Sequence, residues 1–117
     1  MQASPAAIDA FDAALPDDAR VVRKRMFGNP CAFVNRQMFF GTFGDTVVAR
    51  VGPERVEALD GEGGLRVFTP MPERPWRDYV QADAQSDPAR LRELAADALA
   101  WTLTLPPKVK KPKATRR

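Results

Sequence analysis

Residues 20–51 read RVVRKRMFGNPCAFVNRQMFFGTFGDTVVARV, and this stretch decides the fold. β-branched and aromatic residues crowd it, and turn residues interrupt it at short intervals. Val21, Arg23, Arg25 and Phe27 alternate against Val22, Lys24 and Met26, an imperfect strand pattern. Gly28-Asn29-Pro30 signals a turn. Cys31 and Phe33 then alternate against Ala32 and Val34. Asn35-Arg36 has the length of a tight hairpin turn, although arginine suits a left-handed position poorly. In Met38–Phe43, strict alternation sets Met38 and Phe40 on one face and Phe39 and Phe43 on the other, so both faces want cover. Gly41 points to a bulge or a close backbone approach. After Gly44-Asp45, Val47, Ala49 and Val51 alternate against Thr46, Val48 and Arg50. The stretch predicts an antiparallel meander of three or four strands.

Helices frame this meander. Ser4-Pro5 is a helix start, with Ser4 as N-cap and Pro5 at the first helical position. Ile8, Phe11 and Leu15 form its apolar face, and Pro16 ends it. Gly52-Pro53 opens a second, short helix with Val56, Ala58 and Leu59 as apolar positions. Gly61, Gly63 and Gly64 follow as a plain connector; the loop leads from helix to strand without a placed lysine, so it is no phosphate cradle. Leu65–Thr69 is a strand. The three prolines of residues 70–75 read as a stiff connection, and Trp76–Val80 as the last strand. Asp87-Pro88 caps a helix running to about Leu105, with Leu91, Leu94, Ala95, Ala98, Thr102 and Leu105 on one face. The expected fold is α+β: two layers, an antiparallel sheet of about five strands with helices, in the order α-β-β-β-α-β-β-α.

Composition narrows the chemistry. The chain has 117 residues, one domain's length, and is 44% hydrophobic and 28% charged, which is globular composition. It has no histidine, which removes histidine bases, triads and histidine metal sites. Its one cysteine, Cys31, leaves neither a disulfide within the chain nor a cysteine metal cluster. Cys31 has no histidine to activate it and reads as a small buried thiol. Asp17-Asp18 reads as a solvated turn, and the acidic Glu54–Glu62 stretch lacks metal-loop spacing. The expectation is a protein without enzymatic activity, cofactor or metal. No apolar run is long enough to span a membrane, and the acidic N-terminus does not resemble a signal peptide, so the expected compartment is the cytoplasm.

Charge is unevenly placed. Residues 1–105 hold twelve basic and fifteen acidic residues, whereas 106–117 hold six basic residues and no acid. Residues 1–105 are expected to form a single domain and 106–117 a disordered basic tail. Lys108, Lys110, Lys111, Lys113, Arg116 and Arg117 are the candidate contacts to nucleic-acid phosphates. Arg23 and Arg25, two apart on a strand, are candidate anion contacts. Phe33, Phe39, Phe40 and Phe43 lack interleaved basic residues and read as core rather than as a base-stacking platform.

The stretch from Arg25 to Asp45, with its Met26-Phe27-Gly28 and Met38-Phe39 steps, resembles the opening of the TfoX N-terminal domain family (TfoX/Sxy-like). Phe68–Val80, reading FTPMPERPWRDYV, and the amphipathic helix after it extend the resemblance over residues 8–105. Where similar sequences often have a hairpin glycine, this one has Arg36. The resemblance implies a fold like that of the YjbR-like proteins. It also implies a regulatory role, since the family's namesakes are bacterial regulators of DNA-uptake competence. It brings no catalytic residues. Helices cover only one face of a two-layer sheet, so the apolar second face is expected to meet a protein partner or a second copy, or to expose an aromatic patch, with a shallow ligand cleft as the next reading.

Overall fold

The computed structural model describes residues 2–106. Among them the elements are α1 (Pro5–Ala14), β1 (Val22–Met26), β2 (Asn29–Val34), β3 (Gln37–Phe43), β4 (Thr46–Arg50), α2 (Pro53–Leu59), β5 (Arg66–Met71), β6 (Arg74–Asp83) and α3 (Pro88–Leu103). The strands form one antiparallel sheet in the order β1-β2-β3-β4-β6-β5. The α+β class is as expected, with one strand more than the five anticipated. The extra strand is β1, whose imperfect alternation leaves the expected meander at three or four strands; the structure forms all four, with Phe27-Gly28 rather than Gly28-Asn29-Pro30 as the first turn. Phe27 and Gly28 have φ of 53° and 83°, as a two-residue type I′ hairpin requires, so Asn29 and Pro30 already belong to β2. Asn35 and Arg36 form the second such turn at φ 50° and 66°, so Arg36 takes the left-handed position despite its Cβ.

The caps behave as their residue types dictate. Ser4 Oγ accepts from the Ala7 N–H at 3.1 Å, and an Asp87 carboxylate oxygen accepts from the Ala89 N–H at 3.1 Å. All three helices pack on one face of the sheet. Phe11 of α1 is fully buried and stacks on Phe40 of β3 with ring centroids 5.3 Å apart. Ala7 and Ala14 share its buried face, while Ile8 lies at the margin and Ala58 of α2 is exposed. From α3, Leu91, Leu94, Ala95, Ala98, Leu99 and Thr102 are buried.

The strict alternation read for Met38–Phe43 is broken. The register of β2 with β3 runs Cys31↔Gly41, Ala32↔Phe40, then Phe33↔Met38, so Phe39 has no opposite residue. This bulge turns Phe39 into the same core as Phe40, and both are fully buried beneath the helices. Met38 is thereby released to the other face. Losing either ring to alanine should cost about 3–5 kcal/mol.

The three-proline segment is also not a plain connection. Pro70 and Met71 continue β5, and β6 begins at Arg74, leaving Pro72-Glu73 as the turn. β5 is an edge strand, where the missing N–H of Pro70 need not cost a ladder bond.

Candidate functional site

The helix-free face is not a flat apolar surface. β4 pairs with β6 only over Tyr79–Asp83, so the hairpin from Phe68 to Asp78 overhangs the sheet. Register shifts on either side of Phe68 bend it. The bent hairpin and the tip of the β1–β2 hairpin enclose an apolar cleft of about 280 Å³. Cys31, Phe43 and Val48 form its floor, Met26 and Phe27 one wall, and Phe68, Pro70 and Trp76 the other. The residues that carry the family resemblance thus converge here from three separate parts of the chain.

Several contacts hold the walls. Phe68 meets Phe43 and Trp76 edge-on at 5.0 and 5.3 Å, and Trp76 meets Tyr79 at 5.3 Å. The Tyr79 hydroxyl donates to the Met38 carbonyl at 2.8 Å, tying β6 to β3. Burial pushes its phenol up to about 12, against an opposing pull from Arg50, so it stays a neutral donor. Arg50 donates to Gln37 Oε1 at 3.1 Å and to Asp78 Oδ2 at 3.2 Å, and its guanidinium sits between the rings of Tyr79 and Trp101. A Cβ on Gly41 would lie 3.4 Å from Met38 Sδ, so glycine there lets the methionine lie across the strand.

Cys31 is buried, as its place in the strand predicts, and donates weakly to the Lys24 carbonyl at 3.7 Å. Burial pushes its thiol up, and the nearby charges of Lys24 and Arg23 only partly offset this. It is therefore a neutral, apolar part of the floor rather than a nucleophile.

The rim differs from the floor. The Phe27 side chain is 93% exposed and Trp76 40%, with Met26 also exposed. Phe27 holds a left-handed backbone conformation that costs a residue with a Cβ roughly 1–2 kcal/mol. The expected apolar second face is thus mostly closed upon itself, and what remains open is a cleft with an aromatic lip. A larger and shallower hollow, about 770 Å³, runs along α2 and α3. Two of its charged groups, Arg55 and Asp97, pair with each other at 3.0 Å.

The candidate anion residues do not converge on a pocket. Arg23 pairs with Asp12 at 3.0 Å and lies over the Phe11 ring, while Arg25 donates to the Gly28 carbonyl at 3.1 Å. Lys108, Lys110, Lys111, Lys113, Arg116 and Arg117 lie outside the described residues. Among the described residues no group of three acidic or cysteine side chains is placed to hold a metal, and no helix is long and apolar enough to cross a membrane. Sequence reading offers a shallow cleft on this face as its next choice but cannot place the walls, because they meet only through the bent hairpin; the signal within reach was the pair of aromatic, proline-flanked turns.

No curated protein and no solved structure matches the chain. The family model of the TfoX N-terminal domain matches residues 13–101, a span that begins within α1 and ends within α3. This is not a known enzymatic family, and it suggests a regulatory domain. Three quarters of the sequence, including both hairpins that build the cleft, therefore place the chain in the TfoX N-terminal domain family.

Proposed function

We propose that the chain is a non-enzymatic regulatory module that docks a partner protein through the helix-free face of its sheet, with the cleft receiving an apolar side chain of that partner. The observation that carries this reading is Phe27, a large apolar side chain held out in a strained conformation at the lip of an apolar cleft. Such strain gathers where function requires it. An engineered apolar cavity of roughly 150 Å³ takes up benzene, so a cleft of about 280 Å³ has room for an aromatic or branched side chain.

The test compares the wild-type chain with Phe27→Asp, and with Arg92→Ala on α3 as a control, in nuclease-treated extracts. A protein retained by the wild type and the control but lost from Phe27→Asp supports the reading. Sedimentation of the purified chain separates out the homodimer: a dimer that dissociates on Phe27→Asp makes the partner a second copy. A monomer with no differentially retained protein refutes both.

A second reading rests on the six basic residues of 106–117 and makes the chain nucleic-acid-associated. Duplex DNA binding should then show a log–log salt slope of up to about −5, lost in a truncation ending at Leu105.

A further inference from the structure

The outer edge of β1 is a second surface, apart from the cleft. β1 ends the sheet, and all five of its residues are exposed. Its backbone groups follow from the register. Antiparallel pairs alternate between hydrogen-bonded and non-hydrogen-bonded. The two-residue turn closes on Met26↔Asn29, and Pro30, opposite Arg25, has no N–H to give. Arg25↔Pro30 and Arg23↔Ala32 are therefore the non-bonded pairs, and the N–H and C=O of Arg23 and Arg25 point outward from the sheet. The other edge is poorly suited to pairing, because β5 carries Pro70 and two register shifts.

Charge decides what kind of strand fits. Arg23, Lys24 and Arg25 give this edge three basic side chains; Asp12 of α1 pairs with Arg23 at 3.0 Å, so the excess positive charge rests on Lys24 and Arg25. The asymmetry extends over the domain. The strands and their hairpins, residues 21–51 and 65–83, hold eight basic and four acidic residues. The remaining segments up to 106, which carry the helices, hold four basic and eleven acidic ones. Charged edges commonly guard against pairing. Here the guard is net positive even with Asp12 on Arg23: it repels β1 of a second copy and the basic 106–117 segment alike, and it attracts an acidic strand.

We infer that β1 accepts an extended acidic segment of a partner protein as an additional antiparallel or parallel strand, through the outward N–H and C=O groups of Arg23 and Arg25. Backbone pairing supplies the affinity in such strand addition, and flanking side chains supply the choice of partner. Val22, exposed at the end of β1 away from the cleft, offers an apolar contact to the incoming strand.

The probe is a fluorescein-labelled peptide alternating glutamate and valine, followed by anisotropy on the full chain. Its control keeps every glutamate and replaces alternate valines with proline, which removes N–H groups at constant charge. The paired variants are Arg25→Ala and Arg25→Pro. Both lose the side-chain charge, but only the second loses the outward N–H, and no ladder bond inside the domain depends on it. The expected result is binding of the first peptide, little binding of the proline peptide, and about tenfold weaker binding by Arg25→Pro than by Arg25→Ala. In the wild type, amide exchange at Arg23 and Arg25 should slow when peptide is bound, a reading that does not depend on how Arg25→Pro folds. Equal binding of both peptides, unaltered exchange at the two amides, or binding of an oligothymidine in place of the peptide overturns the inference. The uncharged Phe27→Asn should leave peptide binding intact, so the cleft and the edge fail separately.

Discussion

Replacing Phe27 with asparagine should make the protein more stable while removing what the cleft offers a partner. Phe27 is almost wholly exposed, so its ring contributes little burial to lose. Its φ of 53° lies in the left-handed region, where a side chain costs roughly 1–2 kcal/mol and asparagine, bonding its own backbone, is far better tolerated. Asn-Gly is also the favoured pair for a type I′ hairpin, and Gly28 already supplies the second half. A gain of about 1 kcal/mol follows. At roughly 2.1 cal/mol/K per residue over about a hundred ordered residues, the unfolding entropy is near 0.2 kcal/mol/K, so Tm should rise by about 4–5 °C. Arg36→Gly is the matched control, because Arg36 stands at φ 66° in the other two-residue hairpin, away from the cleft. It should gain a similar amount and leave partner capture untouched. The assay is a calorimetric scan of the three proteins alongside the capture experiment. A Tm for Phe27→Asn equal to or below the wild type would refute the reasoning, since Phe27 would then be supported by contacts that offset its strain.

Two further substitutions probe the frame around the site. Gly52→Ala should cost about 3 kcal/mol or more, read as a lowered urea midpoint, because a Cβ there would meet the Trp101 ring at 2.5 Å and Gly52 has φ 94°; a change under 1 kcal/mol would mean that Trp101 moves freely. Tyr79 is the only tyrosine, so phenolate absorbance reads it alone, and in the folded protein it should titrate near 12. The unfolded tyrosine ionises near its ordinary value of about 10 and the folded one does not, so above that pH the unfolded state binds fewer protons and stability falls as pH rises, by up to about 2–3 kcal/mol by pH 12. Cys31 acts in the same sense, so the comparison is made in a Cys31→Ala background, where Tyr79→Phe should lose about 1 kcal/mol at neutral pH and most of the alkaline decline. An equally steep decline in both proteins would contradict the burial of the phenol.

Local chemistry was legible in the residues, and long-range geometry was not. Ser4-Pro5 and Asp87-Pro88 name two helix starts because capping needs only a side-chain oxygen and a residue with φ already set. Asn35-Arg36 names a hairpin by its length alone. The Phe39 bulge escapes such reading, since its cause is the demand of the helix layer for two adjacent rings, and alternation contains no record of that demand. Pro70 misleads for a related reason: it forbids a central strand but not an edge one, and which strand lies at the edge is a property of the whole sheet. Arg23 and Arg25 were placed on one face correctly, yet the Asp12 carboxylate that occupies Arg23 comes from a helix eleven residues earlier.

The same departures from regularity build the site. With a regular β3, Phe39 would lie on the cleft side and Met38 would share the helix-packed face with Phe40. The floor would then be filled by a ring and the core would lose one. The bulge exchanges them, placing both phenylalanines under the helices and leaving the slimmer Met38 beside Gly41. With a regular β5–β6 hairpin, Phe68 and Trp76 would continue the sheet outward; the register shifts beside Phe68 fold them back as a wall. The Phe27-Gly28 turn, tight and strained, leaves the opposing ring in solvent with nowhere to fold. Relaxing Phe27 to Asn-Gly improves the hairpin and deletes the lip, whereas relaxing the bulge would damage core and cleft together. Stability and recognition are therefore separable at the turn and inseparable at the bulge, which is why Phe27 is the position that distinguishes a docking module from a merely stable fold.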